Sequence, residues 1–433
     1  MESPDPQPLC VAPFTALLID PDKGVRPCCR FFDALGAYVP GSVAIGRLDP
    51  HTTASDIMAG PAWRGIAQQL AARKVPPGCR ECIQRERDTG YAGRRDYDDP
   101  DWRQGLTYLE INTSNVCTLQ CRHCDGYYSH LWAPHQGLPT HRADSELLLR
   151  SLRGLDLSHL NSVAFKGGEP LINPDLVAVL EHLAAIGRLE QVVVRITTNG
   201  TVARGLPLEL LGRARRCEIG ISVDGVGELQ TYIRHGNSAG ATIARFVAAA
   251  SAIPRVRFGI IVSVMAYNVF ALPAIADWWR TLAGYDPRRR WQARWRRWRR
   301  RAEFQPISFF HFVTSPAHLC VSSLQDHTRA RAAAQLERLD PELYAHVIHM
   351  LRRPFAGNHD HDRLVLETLK NDQLLGRSFR EALPELRDEM VLLDPAAARA
   401  DLQRRRQQGQ IGAAEAERED EALATLAAGA PRT

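Results

Sequence analysis

Residues 117–124 read Cys117-Thr-Leu-Gln-Cys121-Arg-His-Cys124, three thiols at CxxxCxxC spacing. The stretch follows an apolar, strand-like run, Leu106–Ile111, and a polar turn, Asn112–Asn115. A short loop with that spacing can point three thiolates at one centre. Thiolates are soft ligands suited to iron–sulfur clusters, zinc or Cu(I). A closed structural zinc site takes a fourth ligand, as a paired CxxC or CxxC/HxxxH framework supplies. Three ligands on a loop leave one metal position open, and an open position can do chemistry. The competing reading is three reduced core cysteines or an adventitious zinc loop. Free cysteines favour burial, but burial gives no reason for this spacing.

About one βα unit further on, Gly167-Gly168-Glu169-Pro170 follows the next strand-like run. The two motifs, in this order, resemble the radical S-adenosylmethionine (AdoMet) superfamily. The resemblance implies a [4Fe–4S] cluster on Cys117, Cys121 and Cys124. Its fourth iron would be chelated by the amino and carboxylate groups of AdoMet. It further implies one-electron cleavage of AdoMet to a 5′-deoxyadenosyl radical, abstraction of a substrate hydrogen, and an electron donor such as flavodoxin or ferredoxin.

At 433 residues the chain has room for two or more domains. Its 45% hydrophobic and 24% charged content fits a soluble globular protein. No apolar run is long enough to span a membrane. The N-terminus, MESPDPQPLC, has neither a basic n-region nor an apolar h-region, so a cytoplasmic location is expected. Thiols stay reduced there, and eight of the ten cysteines fall in the first 124 residues, which reads as metal ligation rather than disulfides. The net charge is +5, yet residues 288–301 alone hold nine arginines and no acid. The basic character is therefore local, and a nucleic-acid-binding character of the whole chain is not indicated.

Residues 1–100 read as a cysteine-bearing unit. Cys10 precedes an alternating run, Phe14–Ile19. The turn Asp20-Pro-Asp-Lys-Gly24 then leads into Val25-Arg-Pro-Cys28-Cys29, which predicts a hairpin. A helical pattern over Ser55–Lys74 precedes Gly78-Cys79-Arg-Glu-Cys82. Cys10, Cys28, Cys79 and Cys82 are the candidate ligands of a four-thiolate pocket. The pattern resembles the twitch form of the auxiliary-cluster (SPASM/twitch) domain of radical AdoMet enzymes, in the subfamily that carries it ahead of the barrel. Lys23 interrupts the usual Asp-Gly order, and the Val-x-Pro-Cys register selects Cys28 over Cys29. Zinc is the alternative occupant, because it uses the same tetrathiolate geometry.

Residues 101–320 alternate strand and helix. The strand-like runs are Thr107–Ile111, Ser162–Phe165, Gln191–Thr197, Cys217–Val223, Arg255–Val264 and Ile307–Val313. Six βα units imply an α/β fold with a parallel sheet and working residues at the C-terminal strand ends. The family resemblance makes this a partial (β/α)6 barrel. By the same resemblance the Gly167-Gly168-Glu169 loop would hold the AdoMet amino group, and Arg234 would meet its carboxylate. An arginine on a helix is otherwise usually solvated. Asn199 and Ser222, small and polar at strand tips, are candidates for ribose or carboxylate contacts. Asp224 is either part of this site or a cap for the next turn. His123 either stacks near adenine or is an exposed loop residue.

Residues 286–302 look like an insertion. Trp291, Trp295 and Trp298 share one helical face among arginines. The face would pack on the barrel, bind an acidic peptide or nucleic acid, or lie on an anionic membrane. Residues 321–394 read as helical, with Leu324, Leu336, Leu339, Leu343, Val347 and Leu351 as core candidates, and the break at 354–362 reads as a solvated loop or a metal site. Residues 395–433 read as a solvent-exposed or frayed helical tail. The reading that results is a radical AdoMet enzyme with an auxiliary [4Fe–4S] cluster, acting on a peptide or another natural-product intermediate. Two alternatives stand beside it: a radical enzyme that modifies RNA, and a non-catalytic zinc scaffold.

Overall fold

The computed structural model describes residues 8–31, 44–89, 93–99, 101–284, 302–307, 310–354, 360–408 and 413–429. The arginine- and tryptophan-rich stretch 288–301 lies outside them. The strands are β1 (Ala16–Ile19), β2 (Gly24–Arg26), β3 (Gly46–Arg47), β4 (Tyr108–Ile111), β5 (Gln120–Cys121), β6 (Ser162–Phe165) and β7 (Val193–Thr198). They continue as β8 (Arg216–Ser222), β9 (Arg234–His235), β10 (Val256–Ile261), β11 (Ser263–Val264), β12 (Glu303–Phe304) and β13 (His311–Phe312). The main sheet has the order β12-β10-β8-β7-β6-β4-β1-β2-β3.

From β12 to β1 every neighbouring pair is parallel. Helices Ser145–Arg153, Pro174–Ala185, Leu208–Arg213, Gly240–Ala250 and Leu272–Leu282 lie between the strands in sequence. Leu176, Val179, Leu180 and Leu183 are buried on the second of these, as their helical spacing predicts. This parallel-stranded α/β arrangement is consistent with the expected partial barrel.

The hairpin expected around residues 20–24 forms: β1 and β2 pair antiparallel, Leu18 with Arg26 and Ile19 with Val25. Lys23 takes a left-handed φ of 66°, and the Asp22 carboxylate accepts the Gly24 N–H at 3.0 Å. The sheet crosses the boundary expected at residue 100, because β1 lies parallel to β4 with Ala16 opposite Tyr108. All four residues of β1 are buried. A strand apolar on both faces needs cover on both faces, and an interior place in the sheet supplies it.

Two expectations are corrected. The sixth strand is not continuous over 307–313. Glu303–Phe304 takes the place beside β10, while His311–Phe312 pairs with β11 in a separate two-stranded sheet. Val262 separates β10 from β11, and the Ser263 N–H donates to the Asp224 carboxylate at 2.8 Å. The 395–433 tail, expected as an exposed or frayed helical stretch, does form helices, Pro395–Gln407 and Ala413–Gly429, but part of each is buried. Ala398, Leu402, Ala416, Ala422 and Leu423 pack with Leu366 of helix His361–Leu375. Small alanines allow close approach, and the buried Glu419 carboxylate is met by Arg363, Lys370 and Arg405.

Of the C-terminal core candidates, Leu324, Leu336, Val347 and Leu351 are buried, and Leu343 packs at the core's edge. Leu339 is 58% exposed, because it ends its helix. In the 354–362 break, 355–359 lie outside the described residues. His361 bonds the carbonyls of Ser323 and Val391, and Asp362 accepts the N–H groups of Leu393 and Asp394. Both side chains serve the packing of the C-terminal helices.

Candidate active site

The cysteine loop is tied down from several sides. The Asn115 amide donates to the Gly126 and Pro139 carbonyls at 2.9 and 3.2 Å and accepts the His141 N–H at 2.8 Å. The Cys117 N–H donates to His130 Nδ1 at 3.1 Å, and Trp132 Nε1 donates to the Cys121 carbonyl at 2.8 Å. β5 pairs antiparallel with β9, placing Cys121 opposite Arg234. This pairing joins residues more than a hundred positions apart and has no local sequence signal.

Arg122 anchors the loop from behind. Its guanidinium sits 3.7 Å from the centre of the Tyr232 ring, donates to the Tyr232 carbonyl at 2.8 Å and pairs with Asp372 at 2.6 Å. The side chain has no exposed surface. The C-terminal helix 361–375 thus clamps the middle of the CxxxCxxC motif.

The second motif packs directly on the first. The Gly168 N–H donates to the Ser114 carbonyl at 3.0 Å, and the Glu169 N–H to the Val116 carbonyl at 2.9 Å. Gly167 has φ +106°, open only to glycine at low cost. A Cβ on Gly168 would collide with the Val116 carbonyl. Gly168→Ala therefore pushes the two loops apart. The expected loss is about 3 kcal/mol, the upper range for overpacking, read as a fall in thermal midpoint.

The three cysteines, Gly167, Gly168, Asn199, Ser222, Arg234 and His123 line one cavity of about 650 Å³. Its floor and walls come from the C-terminal ends of β6, β7 and β8, as expected of a parallel sheet. Arg234 Nη1 lies 3.7 Å from the Cys121 sulfur, and Asn199 Nδ2 lies 3.8 Å from that of Cys117. Burial pushes the Cys117 thiol up to about 12 and raises Cys124 well above its usual range. Burial also raises Cys121, against the pull of Arg234. Thiols so desolvated hold their protons until a cation takes the proton's place.

Glu169 and Asp224 are not among the side chains that line the cavity. The Glu169 carboxylate accepts the N–H groups of Leu171 (3.1 Å) and Asn199 (2.9 Å) and the Thr198 hydroxyl (2.7 Å), with Oε2 holding one of these three bonds. It ties the second strand-end loop to the third. Asp224 does more than cap a turn: its carboxylate pairs with Arg234 Nε at 2.7 Å and stands 3.7 Å from His123 Nε2. Burial lowers the His123 ring to about 4, so it is neutral at pH 7.

Cys10, Cys28, Cys79 and Cys82 form a second neighbourhood. Burial, with Cys82 beside it, raises the Cys10 thiol to about 11. Burial, Cys10 and Cys82 raise Cys79 to about 12. Cys28 is raised by burial and by Cys29, Cys10 and Cys79. Cys29 turns instead to the Tyr97 hydroxyl at 3.4 Å. Arg94 grips Glu86 at 2.8 and 2.9 Å and donates to the Leu9 carbonyl at 2.9 Å, which holds helix Arg80–Thr89 against the Cys10 segment. Glu81, between Cys79 and Cys82, reaches the main cavity. The two cysteine groups are therefore neighbours in space.

Sequence reading missed Lys166, Thr197 and the segment Phe312–Ala317, which also line the cavity. Lys166 carried a signal: it directly precedes Gly167 at a strand end.

Residues 111–269 match the family model of the radical SAM superfamily. Over 123 residues the chain is 34% identical to molybdenum cofactor biosynthesis protein 1 of Bos taurus, covering 27% of this chain and 18% of that protein. Over 107 residues it is 34% identical to the 7-carboxy-7-deazaguanine synthase of Halobacterium salinarum, covering 24% and 37%. The chain thus spans less than two fifths of the length of either relative. A solved structure, anSMEcpe with bound AdoMet, aligns at 16% identity and TM-score 0.37 over 63% of this chain and 67% of that one. Among the described residues no helix is long and apolar enough to cross a membrane.

Proposed function

We propose that this chain, whose residues 111–269 match the radical SAM family model, is an enzyme of the radical SAM type and holds a [4Fe–4S] cluster on Cys117, Cys121 and Cys124 with AdoMet beside it. Bound there, the cluster would supply the electron that cleaves AdoMet to a 5′-deoxyadenosyl radical, the species that takes a hydrogen from the substrate. The observation that carries the reading is one cavity shared by the three thiols, Cys121 buried and Cys117 and Cys124 half-buried, and the Gly167-Gly168 loop.

Three protein thiolates on one loop leave the open metal position that AdoMet would take, which a closed structural zinc site does not have.

The residues of the chain divide the remaining work. Arg234, aligned by Asp224, places positive charge beside Cys121 and favours the thiolate. Asn199 and Ser222 offer polar contacts at the strand tips to a ribose or carboxylate. Neutral His123 offers a ring face without a charge to desolvate. Phe312, Val313 and Leu119 wall the cavity with apolar surface, which limits water near a reactive intermediate.

Cys10, Cys28, Cys79 and Cys82 are assigned to an auxiliary [4Fe–4S] cluster. Four thiolates leave it no open position, so it would pass electrons rather than ligate substrate. The substrate is assigned as a peptide or another natural-product intermediate, and the reductant as a flavodoxin or ferredoxin. Anaerobic reconstitution tests the assignment. Roughly eight irons per chain and 5′-deoxyadenosine on reduction with AdoMet are expected. Roughly four irons would remove the auxiliary cluster, and a colourless, iron-free protein would overturn the whole reading.

A further inference from the structure

Lys166 lines the cavity, and its ammonium lies 2.9 Å from Glu110 Oε2. Glu110 sits on β4, beside β6, and its side chain is only 2% exposed. The carboxylate also accepts the Tyr108 hydroxyl at 2.9 Å and Asn112 Nδ2 at 3.2 Å. Such a pair inside a sheet is a poor source of stability, because desolvation offsets most of the attraction an apolar pair would not need. What the pair does accomplish is to fix an ammonium in place.

That ammonium has three N–H donors. Among the described residues Glu110 is its hydrogen-bond partner, which leaves donors for a ligand. The Lys166 side chain keeps 38% of its surface open, although Glu110 beneath it is sealed. Arg234, the other strong cation lining the cavity, is already matched by Asp224.

We propose that Lys166 is a specificity-determining residue that receives an oxyanion of the substrate, a carboxylate or a phosphate, inside the cavity. The proposal rests on the reading of this cavity as the reaction chamber. Glu110, Tyr108 and Asn112 act as positioning residues that aim the ammonium.

The test uses the full-length, anaerobically reconstituted protein with AdoMet bound, titrated with succinate and with inorganic pyrophosphate. At least one of the two anions should bind in the millimolar range, and which one separates the carboxylate from the phosphate source. Binding should weaken at least tenfold in Lys166→Gln and stay within threefold in Lys166→Arg. Glu110→Gln, which frees the ammonium from the carboxylate that aims it, should weaken it several-fold. That second variant keeps the test decisive if Lys166→Gln does not fold. Equal binding by wild type and Lys166→Gln, binding of neither anion to wild type, or a loss confined to AdoMet affinity would each overturn the proposal. Iron content and 5′-deoxyadenosine formation by the wild-type protein judge the reaction-chamber reading separately. A wild type that cleaves AdoMet but binds neither anion sinks only the assignment of Lys166.

Discussion

Cys121→Ser is expected to reduce 5′-deoxyadenosine formation by more than about a hundredfold, beyond what loss of an outer-shell partner of a metal site costs. Cys121 is the most enclosed of the trio, 7% exposed, with Arg234 Nη1 3.7 Å from its sulfur. A serine oxygen is hard and far less acidic, so in this buried place it keeps its proton and offers iron no soft anion. The protein should therefore lose the cluster iron of this site while keeping that of the N-terminal group, and fall to roughly four irons per chain. Cys217→Ala is the control. Cys217 is buried in β8 among core residues, remote from either cysteine group in sequence. It should keep full iron and give up only about 1–2 kcal/mol of packing. A Cys121→Ser protein with wild-type iron content and AdoMet cleavage would remove these three cysteines from the chemistry.

Asp372→Ala is expected to cost about 3–5 kcal/mol, the range for stripping one partner from a buried ion pair. Arg122 has no exposed surface, and its carboxylate partner is 8% exposed, so solvent screens the pair little. The same Asp372 carboxylate accepts the Phe379 N–H at 2.6 Å, so the variant also frees the segment after helix 361–375. Since Arg122 lies between Cys121 and Cys124, the released guanidinium unsettles the ligand loop as well as the fold. Two measurements report it: the denaturation midpoint of the iron-free chain, and the half-life of iron loss from the reconstituted one. Asp372→Asn keeps the shape and an acceptor for Phe379 and should cost less. A double cycle with Arg122→Met isolates the pair. If Asp372→Ala unfolds at the wild-type midpoint, the C-terminal helices do not clamp the cysteine loop.

The main strand positions and the trio of thiols were legible because their signals are local. Apolar runs of four to seven residues end in glycine, asparagine or aspartate, and a metal-ligating loop has a fixed spacing. The hairpin at residues 20–24 was readable for the same reason, since turn chemistry is set by adjacent residues. The split sixth strand was not readable. Which strand His311–Phe312 joins is set by pairing with β11, where the Ser263 amide meets an Asp224 carboxylate thirty-nine positions earlier. The C-terminal tail misled because its alanines look featureless until a partner helix stands close enough to use their small size.

The chain's sequence by itself determined three features: three thiols at one spacing, a Gly-Gly-Glu-Pro loop one unit later, and strands in an order that makes a parallel sheet. Ligand type and spacing are local properties, and they are inherited directly from residue order. Tertiary structure alone decided which side of each motif faces the cavity. It turned Glu169 into a brace, joined Arg234 to Asp224, drew Arg122 to Asp372 and set Lys166 over a buried carboxylate. Those outcomes follow from contacts between distant strands and helices, where a buried charge must find its partner wherever the fold brings one.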